Sequence, residues 1–597
     1  MSADFEGSVE ILRPEPYISR KETIRFLVWI SCAYINLGPE VHMSEENKPN
    51  SGLDRRDFLK VAGVGGLTAA ALGGVGACSG GERPRVSEAE GRWDVADSFL
   101  DEITVDRLQE AMASGEMTAE SVTRAYLARI DAIDRNGPQL GSVIETNPDA
   151  IIIAKEMDEE RAAGNLRGPL HGIPILIKDN IGTADRMTTT AGSLALEGSV
   201  PPRDSYVAER LRAAGAIIIA KANLSEWANF RSTNSSSGWS GRGRQCKNPY
   251  FLHRNPCGSS SGSGAGISAN LAAIGIGTET NGSIVCPSSA NGIVGIKPTV
   301  GLWGRSVIVP ISHTQDTAGP MTRTVKDGAI LLGALTGVDP NDPITQTSVG
   351  KSYTDYTQFL DPDGLRGARI GVVRRYFGFD DRVDALMEDA FQAMRDAGAT
   401  IVDEVEIPNQ DKIGGKAYEL LLYEFKADLN RYLADLGSHV RIKTLEEAIR
   451  FNEENAEREM PHFGQEIFEA AQEKGPLSDP EYLDALDATV RFSGPEGIDL
   501  AMNEHNLDAL LGTTRGPAHI TDWVNGDCGG RGSSSPAARS GYPNITVPVG
   551  FVRGLPIGLS FFGRKWSEPV LLRLTYAFEQ ATNHRAKPEF RTRDLGT

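Results

Sequence analysis

Cysteine and histidine, the side chains that most often bind transition metals, are scarce in this sequence of 597 residues. Nine histidines and six cysteines are present, and they form neither a CxxC nor a HExxH pattern. Such short spacings are typical of zinc ligands. No metal site is therefore predicted, and no motif calls for another cofactor. The cysteines are Cys32, Cys78, Cys246, Cys257, Cys286 and Cys528.

Basic residues are also fewer than acidic residues. The chain has 61 lysines and arginines against 80 aspartates and glutamates, which gives a formal net charge of −19. This balance opposes nonspecific attraction to nucleic acid and to anionic membrane surfaces. Nucleic acid is therefore not an expected partner.

Long apolar runs are missing except for the charge-free segment 61–77. This segment is short for a membrane-spanning helix, which needs about 20 residues. Arg55 and Arg56 precede it, and Cys78 follows it directly after small residues. The arrangement resembles a twin-arginine export signal that ends in a lipobox. A short membrane anchor and a chance cysteine remain open as alternatives.

The N-terminal part is therefore interpreted as a targeting signal. Met43 is the expected start of a signal over 43–78, which leaves 1–42 as a doubtful N-terminal extension. The predicted product is an exported, periplasmic protein whose contact with the membrane is a lipid on Cys78. Export would place the four later cysteines in oxidising surroundings, where they can pair.

The body of the chain alternates strand-like and helical segments. A polar linker over 79–100 is expected before the body at 101–597, with a first helix that begins at Thr118. The alternation predicts an α/β fold, and between about 416 and 500 leucines at helical spacing predict a helical excursion. The apolar runs that predict strands are 173–177, 216–220, 368–373, 542–551 and 556–562.

A Gly/Ser-rich stretch at 256–266 allows several interpretations. A dinucleotide-binding loop would use Gly264, Gly266 and Ala269. That interpretation requires a strand before the glycines and an acidic residue about twenty positions further on. The sequence before the stretch is not strand-like, and the nearest acidic residue, Glu279, comes too soon.

Two further interpretations involve the same stretch alone. A nucleophile elbow would make Ser260 the nucleophile, with a later histidine such as His519, but no strand runs into the turn. A flexible linker is the plainest interpretation of the composition. The ordered apolar segments on either side of the stretch count against it.

The fourth interpretation joins this stretch to two other motifs, HGIPILIKDN at 171–180 and GTETNGSIVCP at 277–287. Together the three motifs resemble the amidase signature family, and the resemblance runs from about Leu108 to the C-terminal end. It implies a large twisted mixed β-sheet that α-helices cover on both faces, with the helical excursion attached. The expected activity is hydrolysis of a carboxylic amide to the acid and ammonia.

The resemblance also assigns three residues. Lys178 corresponds to the family's catalytic lysine, Ser259 to a serine held by a cis peptide, and Ser283 to the acylated serine. A serine hydroxyl needs a base, and no histidine in these motifs stands beside the serines, so a neutral lysine must serve. Burial at the end of an apolar strand would lower the pKa of Lys178 in that direction. Ser259 can accept a proton from Ser283 while it donates to Lys178.

The remaining predicted contacts concern the substrate. Trp227 and Phe230 are candidates for an apolar acyl pocket, together with Trp239 and Trp303, although such aromatic residues are more often core. Gly258 and Ser260 are further candidate substrate contacts. His253 and His313 flank the motifs and are given no catalytic role. The backbone amides predicted to hold the oxyanion are those of Thr280, Asn281, Gly282 and Ser283.

The runs at 223–231 and 310–320 resemble the peptide amidase branch, which suggests C-terminal amides of peptides as substrates. Asn281 stands where many relatives have glycine, and Val285 where many have arginine. Either the site grips no substrate carboxylate there, or Val285 is a packing substitution. Three alternatives stay open: a broad aliphatic or aromatic amidase, a protein like the glutaminyl-tRNA amidotransferase A component, and a non-catalytic binding protein on this scaffold.

Overall fold

The computed structural model describes residues 85–87, 91–528 and 531–594. Two of its strands form a separate antiparallel pair, and eleven form one mixed sheet in the order β10-β9-β11-β13-β12-β7-β8-β6-β4-β5-β3. The strands in chain order are β1 (Arg85–Ser87), β2 (Arg92–Asp94), β3 (Val143–Thr146), β4 (Pro174–Lys178), β5 (Ile217–Ala222), β6 (Ile274–Glu279), β7 (Val294–Lys297), β8 (Thr317–Thr322), β9 (Arg369–Val372), β10 (Thr400–Val402), β11 (Ala509–Thr513), β12 (Asn544–Val552) and β13 (Leu555–Phe562).

Helices fill most of the connections between these strands. Within the described residues, no helix has the length and apolar character needed to cross a membrane. The α-helices in chain order are α1 (Val105–Ser114), α2 (Ala119–Arg129), α3 (Ala150–Ala162), α4 (Tyr206–Ala213), α5 (Ser261–Ser268), α6 (Val285–Ala290), α7 (Val325–Ala334), α8 (Asp381–Asp396), α9 (Lys416–Asp435), α10 (Leu445–Glu454), α11 (Ala456–Glu459), α12 (Glu466–Gln472), α13 (Pro480–Ser493), α14 (Asp499–His505), α15 (Ser534–Ser540) and α16 (Glu568–Thr582).

The predicted α/β fold with a large mixed sheet is confirmed, and each predicted strand run contains a strand. Thr118 caps α2 as predicted, with its hydroxyl accepting from the Ser121 amide. The prediction that this is the first helix of the body was wrong, because α1 precedes it and is capped by Thr104. The sequence signal of α1 was the same kind of cap, followed by a buried apolar face.

The N-terminal predictions divide between described and undescribed residues. The signal over 43–78, the extension over 1–42 and the lipidation site Cys78 lie outside the described residues. The linker predicted over 79–100 contains β1 and β2, which pair with Val86 opposite Trp93. The described part of the predicted linker thus includes a strand pair.

The helical excursion lies between β10 and β11, where the segment 403–508, described throughout, forms α9 to α14 and no strand. Its first helix, α9, buries Phe425, Leu429 and Leu433 in a second hydrophobic cluster that is separate from the core of the sheet. The apolar positions recur every three to four residues, as one buried helix face requires. The excursion therefore has a core of its own against the loops of the body.

The central strands position the three motifs. Strand β4 is fully buried and pairs in parallel with both β5 and β6, so the carboxyl ends of these strands lie at one edge. Lys178 is the last residue of β4. Helix α5 packs on this part of the sheet, and a Cβ on Gly275 would lie 2.7 Å from Ile267. Glycine at this position lets the helix approach the sheet closely.

Candidate active site

Lys178 and Ser259 meet at the carboxyl end of β4. The Lys178 Nζ lies 2.8 Å from Ser259 Oγ, 2.8 Å from Thr278 Oγ1 and 3.2 Å from the Thr278 carbonyl oxygen. All of these partners are oxygens of neutral groups, and none is a carboxylate. A neutral amine can donate to the carbonyl and still present its lone pair to a hydroxyl, as a general base must.

The environment of Lys178 favours that neutral form. Its side chain is completely buried, and this burial lowers its pKa to about 7, against an opposing effect of the Asp316 and Glu279 charges. An ammonium group loses its hydration when it leaves water, which destabilises the charged form. A substantial fraction of Lys178 is therefore unprotonated at neutral pH.

The backbone around Ser259 is held from two sides. The Gly258–Ser259 peptide bond is cis, and the Ser259 carbonyl accepts from the Ser225 amide at 3.0 Å. A Cβ on Gly258 would lie only 2.2 Å from Ser225 Oγ. Gly258 is therefore required by the packing of this loop, which explains its place beside Ser259 without any substrate contact.

The adjacent Ser260 has a different role from the one the elbow interpretation gives it. Its side chain is fully buried, and its hydroxyl donates to the Thr278 carbonyl at 3.1 Å. Residues 261–268 form the buried helix α5, which is neither a phosphate-binding turn nor a linker. The structure therefore supports none of the three competing interpretations of the Gly/Ser stretch, and it places Ser260 between the motifs instead of against a substrate.

Ser283 lies in the turn between β6 and α6, with only a small part of its side chain exposed. Its carbonyl accepts from the Ser260 amide at 3.2 Å, which joins the turn to the Gly/Ser stretch. Among the described residues, no hydrogen bond connects the Ser283 hydroxyl to Ser259 or Lys178. The structure thus brings Lys178 and Ser259 together, and the relay between the two serines stays a prediction.

Glu279, the last residue of β6, holds this turn. Its Oε1 accepts from the Gly282 amide at 2.7 Å, and its Oε2 accepts from the amides of Ile284 and Val285 at 2.8 and 3.1 Å. Sequence reasoning considered Glu279 only as a ribose-binding acid and missed this role. The available signal was a buried acid at a strand end, followed by the glycine that permits the turn.

These contacts change the predicted oxyanion hole. The Gly282 amide donates to Glu279 and is therefore engaged, which leaves the amides of Thr280, Asn281 and Ser283 as the predicted donors. The Thr280 hydroxyl donates to Asp316 Oδ1 at 2.6 Å. This bond fixes the first of the three donors to the loop that enters β8.

A cavity of about 920 Å³ opens beside these groups. Thr278 and Thr280 line it; Thr278 contacts Lys178, and Thr280 contacts Asp316, which also lines the cavity. The segment 305–313 and the end of α9 supply much of its wall. Its volume lies in the range of ligand sites.

The predicted aromatic contacts lie elsewhere. Trp227 and Phe230 belong to the hydrophobic cluster of the excursion, and Phe230 packs against Phe425 with ring centroids 5.1 Å apart. Neither lines the cavity, although Ala228 between them does. Trp239 and Trp303 are buried as well. The structure assigns these side chains a packing role in place of the predicted substrate contact.

The departures from the family pattern have local explanations. Val285 is fully buried in α6, which fits a packing substitution. Asn281 is exposed and accepts from Ser534 Oγ at 2.8 Å. All four described cysteines are free.

Among the described residues, one group could in principle hold a metal ion: His313, Glu424 and Asp428. The carboxylate oxygens of Glu424 and Asp428 already take part in hydrogen bonds within the protein. Glu424 accepts from the hydroxyls of Ser312 and Tyr482, and Asp428 lies 2.8 Å from His313 Nδ1. These hydrogen bonds connect α9 to the loop that lines the cavity.

Comparison with known proteins agrees with this geometry. The family model Amidase matches residues 121–572. A probable amidase of Arabidopsis thaliana is 42% identical over 500 residues, which cover 82% of this chain and 92% of the relative. One component of the glutamyl-tRNA(Gln) amidotransferase of Carboxydothermus hydrogenoformans is 33% identical over 509 residues, covering 82% of this chain and 99% of the relative.

Among solved structures, the native peptide amidase from Stenotrophomonas maltophilia superposes with a TM-score of 0.78 at 49% identity. The match covers 82% of this chain and 99% of that chain. Family model, relatives and structure all point to enzymes that cleave amide C–N bonds. This chain belongs to the amidase signature family and is a hydrolase that acts on amides.

Proposed function

We propose that this amidase hydrolyses C-terminal amides of peptides to the free acid and ammonia, through an acyl-enzyme on Ser283. The observation that carries the proposal is the 2.8 Å contact between Lys178 Nζ and Ser259 Oγ in a fully buried site. The 49% identity to a peptide amidase over almost all of that protein supports the substrate class.

The proposed proton path begins at Ser283. Its hydroxyl passes a proton to Ser259 as the oxygen attacks the amide carbonyl carbon, and Ser259 passes its own proton to neutral Lys178. The path then runs in reverse and delivers a proton to the leaving nitrogen, so ammonia departs. Water enters by the same route and releases the acid from Ser283.

Negative charge develops on the carbonyl oxygen during the attack. The amides of Thr280, Asn281 and Ser283 are the proposed donors to this oxygen. Removal of one such donor typically costs about 3 kcal/mol of the barrier. Asp316 and Glu279 fix the turn through Thr280 and Gly282, so the donors stand in place before the substrate arrives.

The cavity supports a substrate larger than a simple aliphatic amide. About 920 Å³ is available, and several apolar side chains line it, among them Ile308, Val309, Ile311 and Leu436. A peptide would lie along this wall with its C-terminal amide at the Thr280 end.

The test is ammonia release from a panel of amides. The panel compares a peptide amide, the same peptide as free acid, a short aliphatic amide and an aromatic amide. We expect the peptide amide to be cleaved with the highest kcat/KM, and the free acid to release no ammonia. Equal efficiency on the short aliphatic amides would replace the proposal with a broad-specificity amidase.

Ser283→Ala serves as the matched control, since it removes one oxygen from the proposed nucleophile. Equal ammonia release by the native protein and this variant would overturn Ser283 as the nucleophile, and no release by either would leave the non-catalytic alternative. A fluorophosphonate probe should label Ser283. Labelling of Ser260 instead would restore the nucleophile elbow.

We also propose that the enzyme acts outside the cytoplasm on a lipid tether. The support is the sequence of the signal over 43–78, which precedes the described residues. Cys78→Ser should release a soluble protein into the periplasm. Unchanged membrane association would contradict lipidation, and a cytosolic protein bound to partner proteins would favour the amidotransferase alternative.

A further inference from the structure

Helix α9 of the excursion contacts the loop 311–316, which leads into β8. Glu424 of α9 is completely buried. One of its oxygens accepts from the Thr314 hydroxyl, and the other accepts from the Ser312 hydroxyl and, at 3.2 Å, from the Thr314 amide. A single carboxylate of the excursion therefore holds two residues of this loop.

The same loop holds the predicted oxyanion turn through its last residue, Asp316. Asp316 Oδ2 accepts from the amides of Ile311 and Ser312 at 2.7 and 2.9 Å. Its Oδ1 accepts from the Thr280 hydroxyl at 2.6 Å. Because Ser312 uses its hydroxyl for Glu424 and its amide for Asp316, a continuous series of hydrogen bonds runs from the excursion to this turn.

Arg305 holds the loop from the side of the body. Its Nη1 donates to the carbonyls of His313 and Asp316 at 2.6 and 3.2 Å. Its Nε and Nη2 donate to Asp342 at 2.8 and 2.9 Å, which fixes the guanidinium group. Loss of Glu424 would therefore loosen the loop without detaching it from the body.

We propose that Glu424 is a positioning residue of the oxyanion hole, which acts on the Thr280 donor through Ser312 and Asp316. The inference rests on the proposed function, in which the Thr280 amide donates to the carbonyl oxygen under attack. Glu424 does not line the cavity and acts only through the loop. The excursion thereby contributes to turnover as well as to the cavity wall.

Glu424→Gln tests this role, because its NH₂ group cannot accept from the loop. A displaced Thr280 amide weakens a hydrogen bond that is strongest in the transition state, so kcat should fall while KM stays nearly unchanged. Removal of a whole oxyanion donor typically lowers kcat by about 10²–10³-fold. Since the donor here is displaced and not removed, we expect a loss of about tenfold.

A pair of substrates separates oxyanion stabilisation from a general loss of folded enzyme. A peptide amide is compared with the same peptide as a thioamide, whose sulfur accepts hydrogen bonds only weakly. Glu424→Gln should lower kcat for the amide about tenfold and kcat for the thioamide about threefold or less. Equal losses on the two substrates would overturn the inference.

Glu459 provides the matched control within the same excursion. It is also completely buried, and its Oε1 accepts from the Ser193 hydroxyl at 3.0 Å and from the Leu194 amide at 2.5 Å. Neither of these partners lines the cavity. Glu459→Gln should lower the melting temperature and keep the native ratio of amide to thioamide turnover. A change in this ratio as large as that in Glu424→Gln would overturn the specific role of Glu424.

A double variant tests the path through Asp316. Asp316→Asn is measured at a pH well above the Lys178 pKa of about 7, where the base is neutral in every variant. Adding Glu424→Gln should cause little further loss, since residues that act through one another are not additive. Fully additive losses would overturn the path. If Glu424→Gln does not fold, Thr314→Val removes one donor to Glu424, and an unchanged substrate ratio in that variant would overturn the inference.

The outcomes also distinguish this inference from the proposed function. A native protein that releases no ammonia from any amide would overturn both. An active native protein whose Glu424→Gln variant keeps the native substrate ratio would overturn the positioning role alone. If the native protein prefers short aliphatic amides, an aliphatic amide and its thioamide replace the peptide pair, and a lowered ratio would support Glu424 while the substrate proposal fails.

Discussion

Two buried lysines at strand ends, Lys178 on β4 and Lys297 on β7, differ in what their amines contact. Both are completely buried, and burial lowers the pKa of both, to about 7 for Lys178 and about 8 for Lys297. The Lys297 amine donates to the carbonyls of Ala537 and Tyr542. A carbonyl can only accept, so this amine joins two segments and has no route for a proton.

Lys178 differs because hydroxyl oxygens of Ser259 and Thr278 surround it. A hydroxyl accepts and donates, so a proton can pass through it to the amine. A third buried lysine, Lys221, has a pKa lowered to about 8 by burial and donates to the Ile181 carbonyl and the Thr189 hydroxyl. A lowered pKa is therefore common among the buried lysines of this fold, and a hydroxyl contact is shared by Lys178 and Lys221. Contact with Ser259, a serine of the signature motifs, distinguishes Lys178.

The largest expected effect comes from exchanging each strand-end lysine for methionine. Lys178→Met should lower kcat/KM for a peptide amide by about 10³-fold or more, because general base catalysis is lost. Lys297→Met should leave turnover per folded molecule unchanged. It should lower the melting temperature, since each carbonyl left without its donor costs about 1–3 kcal/mol. Steady-state kinetics measures kcat/KM of both variants, and thermal unfolding measures their melting temperatures.

The proposed difference between Lys178 and Lys297 is contradicted if both variants lose activity to the same extent. Loss of activity in Lys297→Met with a native melting temperature would give both lysines the same role. A melting curve for Lys178→Met like that of the native protein is needed to separate chemistry from folding.

Next in size is the loss of the relay hydroxyl. Ser259→Ala should lower kcat by about 100-fold and leave measurable turnover, since Lys178 remains and only the bridge is removed. Ser263→Ala is the matched control, because Ser263 is also fully buried in the same stretch and its hydroxyl donates to the Ile276 carbonyl at 3.0 Å. Equal losses of kcat in the two variants would assign Ser259 a packing role only.

The pH dependence of kcat/KM should show the titration of the base. The neutral amine is the active form, so activity rises with pH, by about tenfold per unit below the pKa, and levels off above it. For Lys178 the break is expected at about pH 7. A rate that does not change with pH through this range would contradict a neutral lysine base. Thermal unfolding at each pH should show that the enzyme stays folded across the range.

The sequence predicted the part of this site that depends on local pattern. The apolar run before Lys178 predicted a buried strand and a lowered pKa, and the ordered motifs predicted that Lys178 and Ser259 meet. The contact of Lys178 with Thr278 was not predictable, because it depends on the parallel pairing of β4 with β6, which lie about 100 residues apart in the chain.

The predicted aromatic contacts lie away from the cavity for a related physical reason. Trp227 and Phe230 pack against Phe468 and Phe425, which belong to the helical excursion about 200 residues later. An aromatic side chain looks the same in a sequence whether it faces a partner helix or a ligand. Only the arrangement of the excursion over the body decides between the two.

The smallest expected effect concerns the turn that carries Ser283. Glu279→Gln replaces one of two oxygens that accept from the amides of Gly282, Ile284 and Val285 by an NH₂ group that cannot accept. At least one buried amide loses its acceptor, at about 1–3 kcal/mol. We expect a fall in kcat of about tenfold and a proportional slowing of fluorophosphonate labelling of Ser283.

A matched carboxylate separates this effect from general destabilisation. Glu568 is equally buried and accepts from the Thr299 amide at 2.7 Å, beside Lys297 and away from the serine motifs. Glu568→Gln should lower the melting temperature and leave the labelling rate of folded protein unchanged. If both variants slow labelling to the same extent, Glu279 merely stabilises the fold. If only Glu279→Gln does, the carboxylate at the end of β6 positions the nucleophile, as the oxygens around Lys178 position the base.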